Sequence, residues 1–250
     1  MKIVFAWRAW LLGLGLTLSF PALAASDLLG AIEKGDEAAV KQMLASGANA
    51  NTKTAKGDSA VFVALVKRHI NIALLLLRNG ADANGTNQFG APLLHTAAGS
   101  GDVPVVKLLI EKGADVNARF ERYDDVTALM LAAQDGYMEV VDLLIKAKAD
   151  VNARTATGDT ALIAASAKGH KDVIRRLLKA GANINTKTES GYTALFIAVT
   201  EANADLVELL LEKGADPKVS DDQGETPLSL AERMDEPVIV EILRRAGARK

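Results

Sequence analysis

The 250-residue chain contains no cysteine, and that absence closes several routes at once. Disulfides, thiolate metal sites, a cysteine nucleophile and lipidation of an N-terminal cysteine are all excluded. Histidine is scarce. His69, His95 and His170 lie far apart and offer no i, i+4 pair for a metal. Neither sign of charge dominates, since 29 Lys and Arg stand against 31 Asp and Glu. The net charge of −2 is too weak to draw the chain to nucleic acid or a membrane surface. The spacings G-x-S-x-G, H-E-x-x-H and the phosphate loop do not occur. Adjacent acids at Asp124-Asp125 read as a solvated turn, and Asp221-Asp222-Gln223-Gly224-Glu225 is too compact for a calcium loop. No catalytic residue, metal ligand or cofactor is therefore expected. Aromatic residues make up 4%, which suits helices packed closely around small side chains.

What is present begins with a leader. Lys2 and Arg8 supply positive charge, Ala9 to Phe20 is an unbroken apolar and small run, and Ala22-Leu23-Ala24 fits a small-x-small cleavage pattern. A core of this length falls short of the ~20 residues that span hydrocarbon as a helix. The competing membrane anchor is set aside. Residues 1–24 are read as a signal peptide and 25–250 as the mature domain, with cleavage after Ala24 and a remaining charge near −4. No later segment could stop transfer. The expected product is exported and soluble without membrane insertion, in a bacterial periplasm; secretion beyond it, as an effector, is the alternative.

The rest of the chain repeats. Gly57, Gly90, Asp125, Gly158, Gly191 and Gly224 each open a copy, and a second marker follows 23 residues later at Gly80, Gly113, Lys148, Gly181, Gly214 and Gly247. The gap to the next start is 10 residues, except for 12 between Gly113 and Asp125. A 33-residue period of this regularity is the mark of a solenoid. Thr127, Thr160, Thr193 and Thr226 stand where a helix begins and can cap it. Val173, Ile174, Leu177 and Leu178 fall on one face of a second helix. The glycine that ends it needs the left-handed conformation, so Lys148 should cost of order 1 kcal/mol there. Residues 26–51 read as a divergent first copy, capped by Ser26 or Asp27, with Glu33, Lys34, Glu37 and Lys41 on an outer face.

These residues resemble the ankyrin repeat. Thr226-Pro227-Leu228-Ser229-Leu230-Ala231 and Pro92-Leu93-Leu94-His95-Thr96-Ala97-Ala98 come nearest to its T-P-L-H-x-A-A motif, and copies close in Gly-Ala-Asp/Asn-x-Asn. The resemblance covers residues 26 to 250 and implies an all-α solenoid of helix-turn-helix units joined by β-hairpin fingers. Six to seven repeats are expected, divergent caps included. It also implies histidines that hydrogen-bond within their repeats, and fingers that share Asn51, Asn84, Asn117, Asn152 and Asn185, with Lys218 making the last one less regular. By the same resemblance the chain is a non-catalytic scaffold, a monomer that binds another protein through its concave face and fingers. A small-ligand receptor or enzyme using a groove pocket is the alternative.

The positions implied as partner-binding are Phe89, Phe120, Arg122, Tyr123, Asp124, Gln134, Lys168 and Tyr192. The two-residue insertion falls in the finger Ala118 to Asp124, which carries two aromatics and two arginines, residue types enriched at binding hot spots. Phe120, Arg122 and Tyr123 are accordingly expected to project. Phe62 and Phe196 are expected to face the core.

Overall fold

The computed structural model describes residues 21–248. The leader core at residues 9–20 lies outside them. Among the described residues fourteen α-helices form seven consecutive pairs, α1 to α14 in chain order. They are Pro21–Lys34 with Glu37–Ala45, Ala60–Val66 with Ile70–Arg78, Leu93–Gly99 with Val103–Glu111, and Ala128–Gln134 with Met138–Lys146. Ala161–Ala167 with Lys171–Lys179, Ala194–Thr200 with Ala204–Glu212, and Pro227–Arg233 with Pro237–Arg245 complete the array.

Each pair follows from local chemistry. Ser59, Thr127, Thr160, Thr193 and Thr226 sit at N-caps, where each side-chain oxygen accepts the N–H three residues on, at 3.2–3.4 Å. At Thr226 the bond is reciprocal, because the Thr226 N–H donates to Ser229 Oγ at 2.8 Å. Seven residues complete the first helix in the last six pairs, and in every pair a residue of positive φ then turns the chain: Gly35, Arg68, Gly101, Gly136, Gly169, Ala202 or Asp235. The second helices end at further positive-φ residues, and Lys148 takes that conformation at φ 70° as expected.

Packing uses two residue classes. Ala64, Ala97, Ala132, Ala165, Ala198 and Ala231 are fully buried, which lets successive first helices lie close together. The second helices each bury an i, i+4 pair: Val40 and Leu44, Ile72 and Leu76, Val105 and Leu109, Val140 and Leu144, Val173 and Leu177, Leu206 and Leu210, Ile239 and Leu243. Each such side chain contributes about 1.5–3 kcal/mol of burial. All belong to one continuous core.

Side chains of the fingers tie repeats to one another. Asn51 Oδ1 accepts the Asp82 N–H at 2.7 Å while its Nδ2 donates to Gly80 O at 3.1 Å. Asn84, Asn117 and Asn152 repeat both bonds toward the following finger, and Asn185 accepts from the Asp216 N–H at 2.9 Å. A second ladder runs beside it. Arg119 donates to Arg154 O, Arg154 to Lys187 O and Lys187 to Ser220 O, each at 2.8 Å.

Three expectations are corrected. Helix α1 begins at Pro21, so Ser26 and Asp27 lie inside it and do not cap it; the stretch Ala22 to Ala25 consists of strong helix formers and extends the helix upstream. The fingers contain no strand, only the isolated bridges Lys53 to Ser59, Thr86 to Pro92 and Phe120 to Val126. The Lys218 finger keeps the usual geometry, since the Lys218 N–H donates to Asp216 Oδ1 at 2.9 Å as the Asn185 N–H does to Asn183 Oδ1 at 3.0 Å. That turn is built from the residue two positions earlier, so position 218 itself does not decide it. Glu33, Lys34, Glu37 and Lys41 are exposed on the first unit.

Candidate partner-binding face

Five of the fingertips share one construction. Thr54, Asn87, Thr155, Thr188 and Asp221 each donate their N–H to the carbonyl four residues on, and their side-chain oxygen accepts that same residue's N–H. In the remaining finger this position is Phe120, which has no oxygen to offer. Its N–H bonds instead to Val126 O, six residues on, at 3.0 Å. A 3-10 turn at Glu121–Tyr123 fills the added length, followed by Asp124 and Asp125, both at φ 56°. The aromatic substitution and the two-residue insertion are thus one change. That signal was present in the sequence, as an aromatic where the period places an Asx, Thr or Asp side chain.

The expected site residues separate into groups. Tyr123 is 65% exposed and Phe89 55%, each on its own fingertip. Arg122 is exposed beside Tyr123, and Gln134 and Lys168 are exposed at the ends of the first helices α7 and α9. Phe120, expected to project, is half-buried against the core with its ring 6.2 Å from that of Tyr123 and 20° off parallel. It forms the base on which Tyr123 lies. Asp124 is exposed, but its carboxylate accepts the Thr157 hydroxyl at 2.7 Å and its carbonyl the Ala156 N–H at 3.1 Å, so it links two fingers. Tyr192 is half-buried and stacks on Phe196 at 4.8 Å. Phe196 is buried and Phe62 partly so, both against the core as expected. One residue was missed. Val66, the last of α3, is 58% exposed at the helix position that Gln134 holds in its own repeat. Only the helix register, not its residue type, distinguishes it from the buried valines.

The histidines have different tasks from those expected. His95 Nε2 bonds to Val126 O at 2.9 Å, in the following repeat and not its own. Its Nδ1 has no partner among the described residues. Burial pushes the His95 pKa below its usual value, opposed by the Val126 bond and by Asp115. The rings of His69 and His170 cover Gly35 and Gly136 of the preceding repeats, where a Cβ would come within 2.6 Å of the imidazole. Tyr137 covers Gly101 in the same way, at 2.7 Å. Glycine at these turns is required twice, by positive φ and by the ring against it.

Charged groups also work between repeats. Arg68 donates to Asp102 Oδ2 at 3.1 Å; burial raises the Asp102 pKa and the Arg68 charge opposes the rise. The Lys171 hydrogen bond lowers the Asp205 pKa, and bidentate bonds from Arg233 to Glu225 at 2.8 and 2.9 Å raise that of Arg233. His95 and Asp102 belong to one repeat, and Asp205 and Arg233 to two others. An open depression of about 520 Å³, lined by Arg175, Leu178, Lys179, Ala182, Ile184 and Lys213, holds none of them. Among the described residues no three His, Asp or Glu side chains gather as metal ligands, and no helix is long and apolar enough to cross a membrane.

Residues 28–120 and 120–188 match a family model described as ankyrin repeats in three copies, and residues 177–231 match one described as ankyrin repeats in many copies. The chain belongs to the ankyrin-repeat family. A search of curated proteins found no match. Ankyrin repeats generally mediate contacts between proteins and are typically scaffolds without chemistry of their own. In this ankyrin array Phe89 and Tyr123 on the fingertips, and Val66, Gln134 and Lys168 at the ends of first helices, are exposed.

Proposed function

We infer that this ankyrin-repeat chain is a non-catalytic scaffold that docks another protein on the face made by its fingertips and first-helix ends. One observation carries the reading: Phe89 and Tyr123 stand exposed on neighbouring fingers, while Phe196 is buried and Phe120 and Tyr192 are half-buried against the core. Large apolar side chains held rigidly in the open act as anchors at protein interfaces. Arg122, Gln134 and Lys168 would supply polar contacts around them. The pKa pattern supports a scaffold too. Groups tuned for catalysis share a cleft, whereas His95, Asp102, Asp205 and Arg233 are spread over three repeats and owe their shifts to separate partners. The apolar leader and the lack of cysteine favour an exported, periplasmic chain beginning at Ala25.

The test is affinity capture from the periplasm, comparing the native chain with the double variant Phe89→Ala, Tyr123→Ala. Loss of a captured protein at unchanged melting temperature is expected, because both rings are more than half exposed. Equal capture by both chains would remove this face as the site. Intact mass reports the compartment separately: a species retaining Met1 and sedimenting with membranes would overturn export.

A further inference from the structure

The fingertips are joined in a row that breaks once. Gln88, Ala156, Glu189 and Asp222 are each the second residue of a fingertip, and each donates its N–H to the fingertip before it at 2.8–3.2 Å. Glu121 holds that place in the long finger. Among the described residues it makes no such bond, and no hydrogen bond joins residues 87–91 to residues 120–126. The long finger leans on its downstream neighbour instead: Asp124 accepts the Ala156 N–H and the Thr157 hydroxyl, and Arg119 donates to Arg154 O. The gap falls between the two exposed rings, with Phe89 on one side and Tyr123 on the other.

The finger that lacks the upstream tip bond is the one that an upstream side chain holds. The third residue of the first helix is Phe62, Met130, Ile163 or Phe196 where the next tip bond is present, and His95 where it is absent. His95 Nε2 lies 2.9 Å from Val126 O, and a carbonyl only accepts, so Nε2 carries the proton. The same carbonyl accepts the Phe120 N–H at 3.0 Å, and the Val126 N–H donates to Tyr123 O at 3.1 Å. Val126 thus closes the long finger, and the imidazole grips that closure. Asn84 also spans the gap, but at the root of the finger, through Asp115 and Gly113.

We propose that His95 is a positioning residue for docking: through Val126 it fixes the long finger, and with it Tyr123, relative to Phe89, so that the partner meets both rings at one spacing. This rests on the docking reading above and assigns the residue that sets its geometry. Two anchors on separately moving fingers would each have to be ordered on binding, a cost that a preformed spacing avoids.

The chain has no cysteine, so spin labels can be placed at Gln88→Cys and Arg122→Cys, exposed positions on the two fingertips that leave both rings intact. Double electron–electron resonance should give one narrow distance distribution. His95→Leu removes the grip and the unpartnered Nδ1 together, while Val126 O keeps the Phe120 N–H, and it should broaden that distribution. His95→Gln, whose amide offers an N–H in place of Nε2, should restore it. Labels at Glu189→Cys and Asp222→Cys, across a tip bond that is present, should stay narrow in all three chains. An unchanged distribution in His95→Leu, equal broadening at the control pair, or no restoration by His95→Gln overturns the proposal. Without labels, His95→Leu should retain about five-fold less of the periplasmic protein that the native chain captures, and His95→Gln as much as the native chain. Full capture by His95→Leu overturns the role of His95 in docking and leaves the docking face standing. Capture of nothing by the native chain, or capture that survives Phe89→Ala with Tyr123→Ala, removes the face itself and the docking role with it.

Discussion

His95 and Pro92 show how one residue leaves another without a partner. Pro92 occupies the N-cap held by Ser or Thr in five other repeats, and it has neither a hydroxyl nor an N–H. At Thr226 the third helical residue reaches back to the cap N–H; His95 holds that third position, and its Nδ1 finds nothing there. Pro92→Thr restores both groups and should stabilise the protein by about 1 kcal/mol, read by urea denaturation. The same histidine sets a pH dependence. Its pKa is lowered by burial, so the folded chain binds fewer protons than the unfolded chain. Its contribution is complete above about pH 6.5 and falls as pH drops through that value toward the lower folded pKa. His95→Gln should flatten this part of the stability profile; an unchanged slope would mean that another group is responsible.

At the scale of the element, the long finger divides its two rings between tasks. Tyr123→Ala should weaken partner binding by about 2 kcal/mol with little change in melting temperature. Phe120→Ala removes a ring packed on the core and should lower stability, with binding lost only so far as Tyr123 loses its support. Measuring both quantities for both variants checks the division; equal stability losses would place Tyr123 among the packing residues.

The helices themselves were legible from residues, because capping threonines, i, i+4 apolar pairs and positive-φ glycines are local and repeat. The exposed positions Gln134, Lys168 and Tyr123 followed from register within the period. The tasks of His69, His170 and Phe120 did not, since each depends on what the neighbouring repeat or the lengthened turn places against the ring. The start of α1 was misjudged because capping residues are also tolerated inside a helix when strong formers precede them.

Over the whole molecule every repeat makes the same kinds of contact with its neighbours, so stability should approximate a sum over interfaces. Deleting residues 224–250 uncovers the buried faces of Leu195, Ala198, Leu206 and Leu210. The truncated chain should melt lower and aggregate at concentrations where the full chain does not, read by light scattering. Equal solubility and melting would deny the last repeat a capping role.

The two ladders of finger bonds have a direction. Asn51, Asn84, Asn117, Asn152 and Asn185, like Arg119, Arg154 and Lys187, reach from an earlier repeat to the backbone of a later one. A polypeptide synthesised or threaded amino end first therefore meets a template already waiting. Each newly emerged finger finds its carbonyl and amide partners on side chains that have already been placed. Assembly can advance one repeat behind the point of emergence, with the side chains of both ladders in place before the backbone groups they bind arrive.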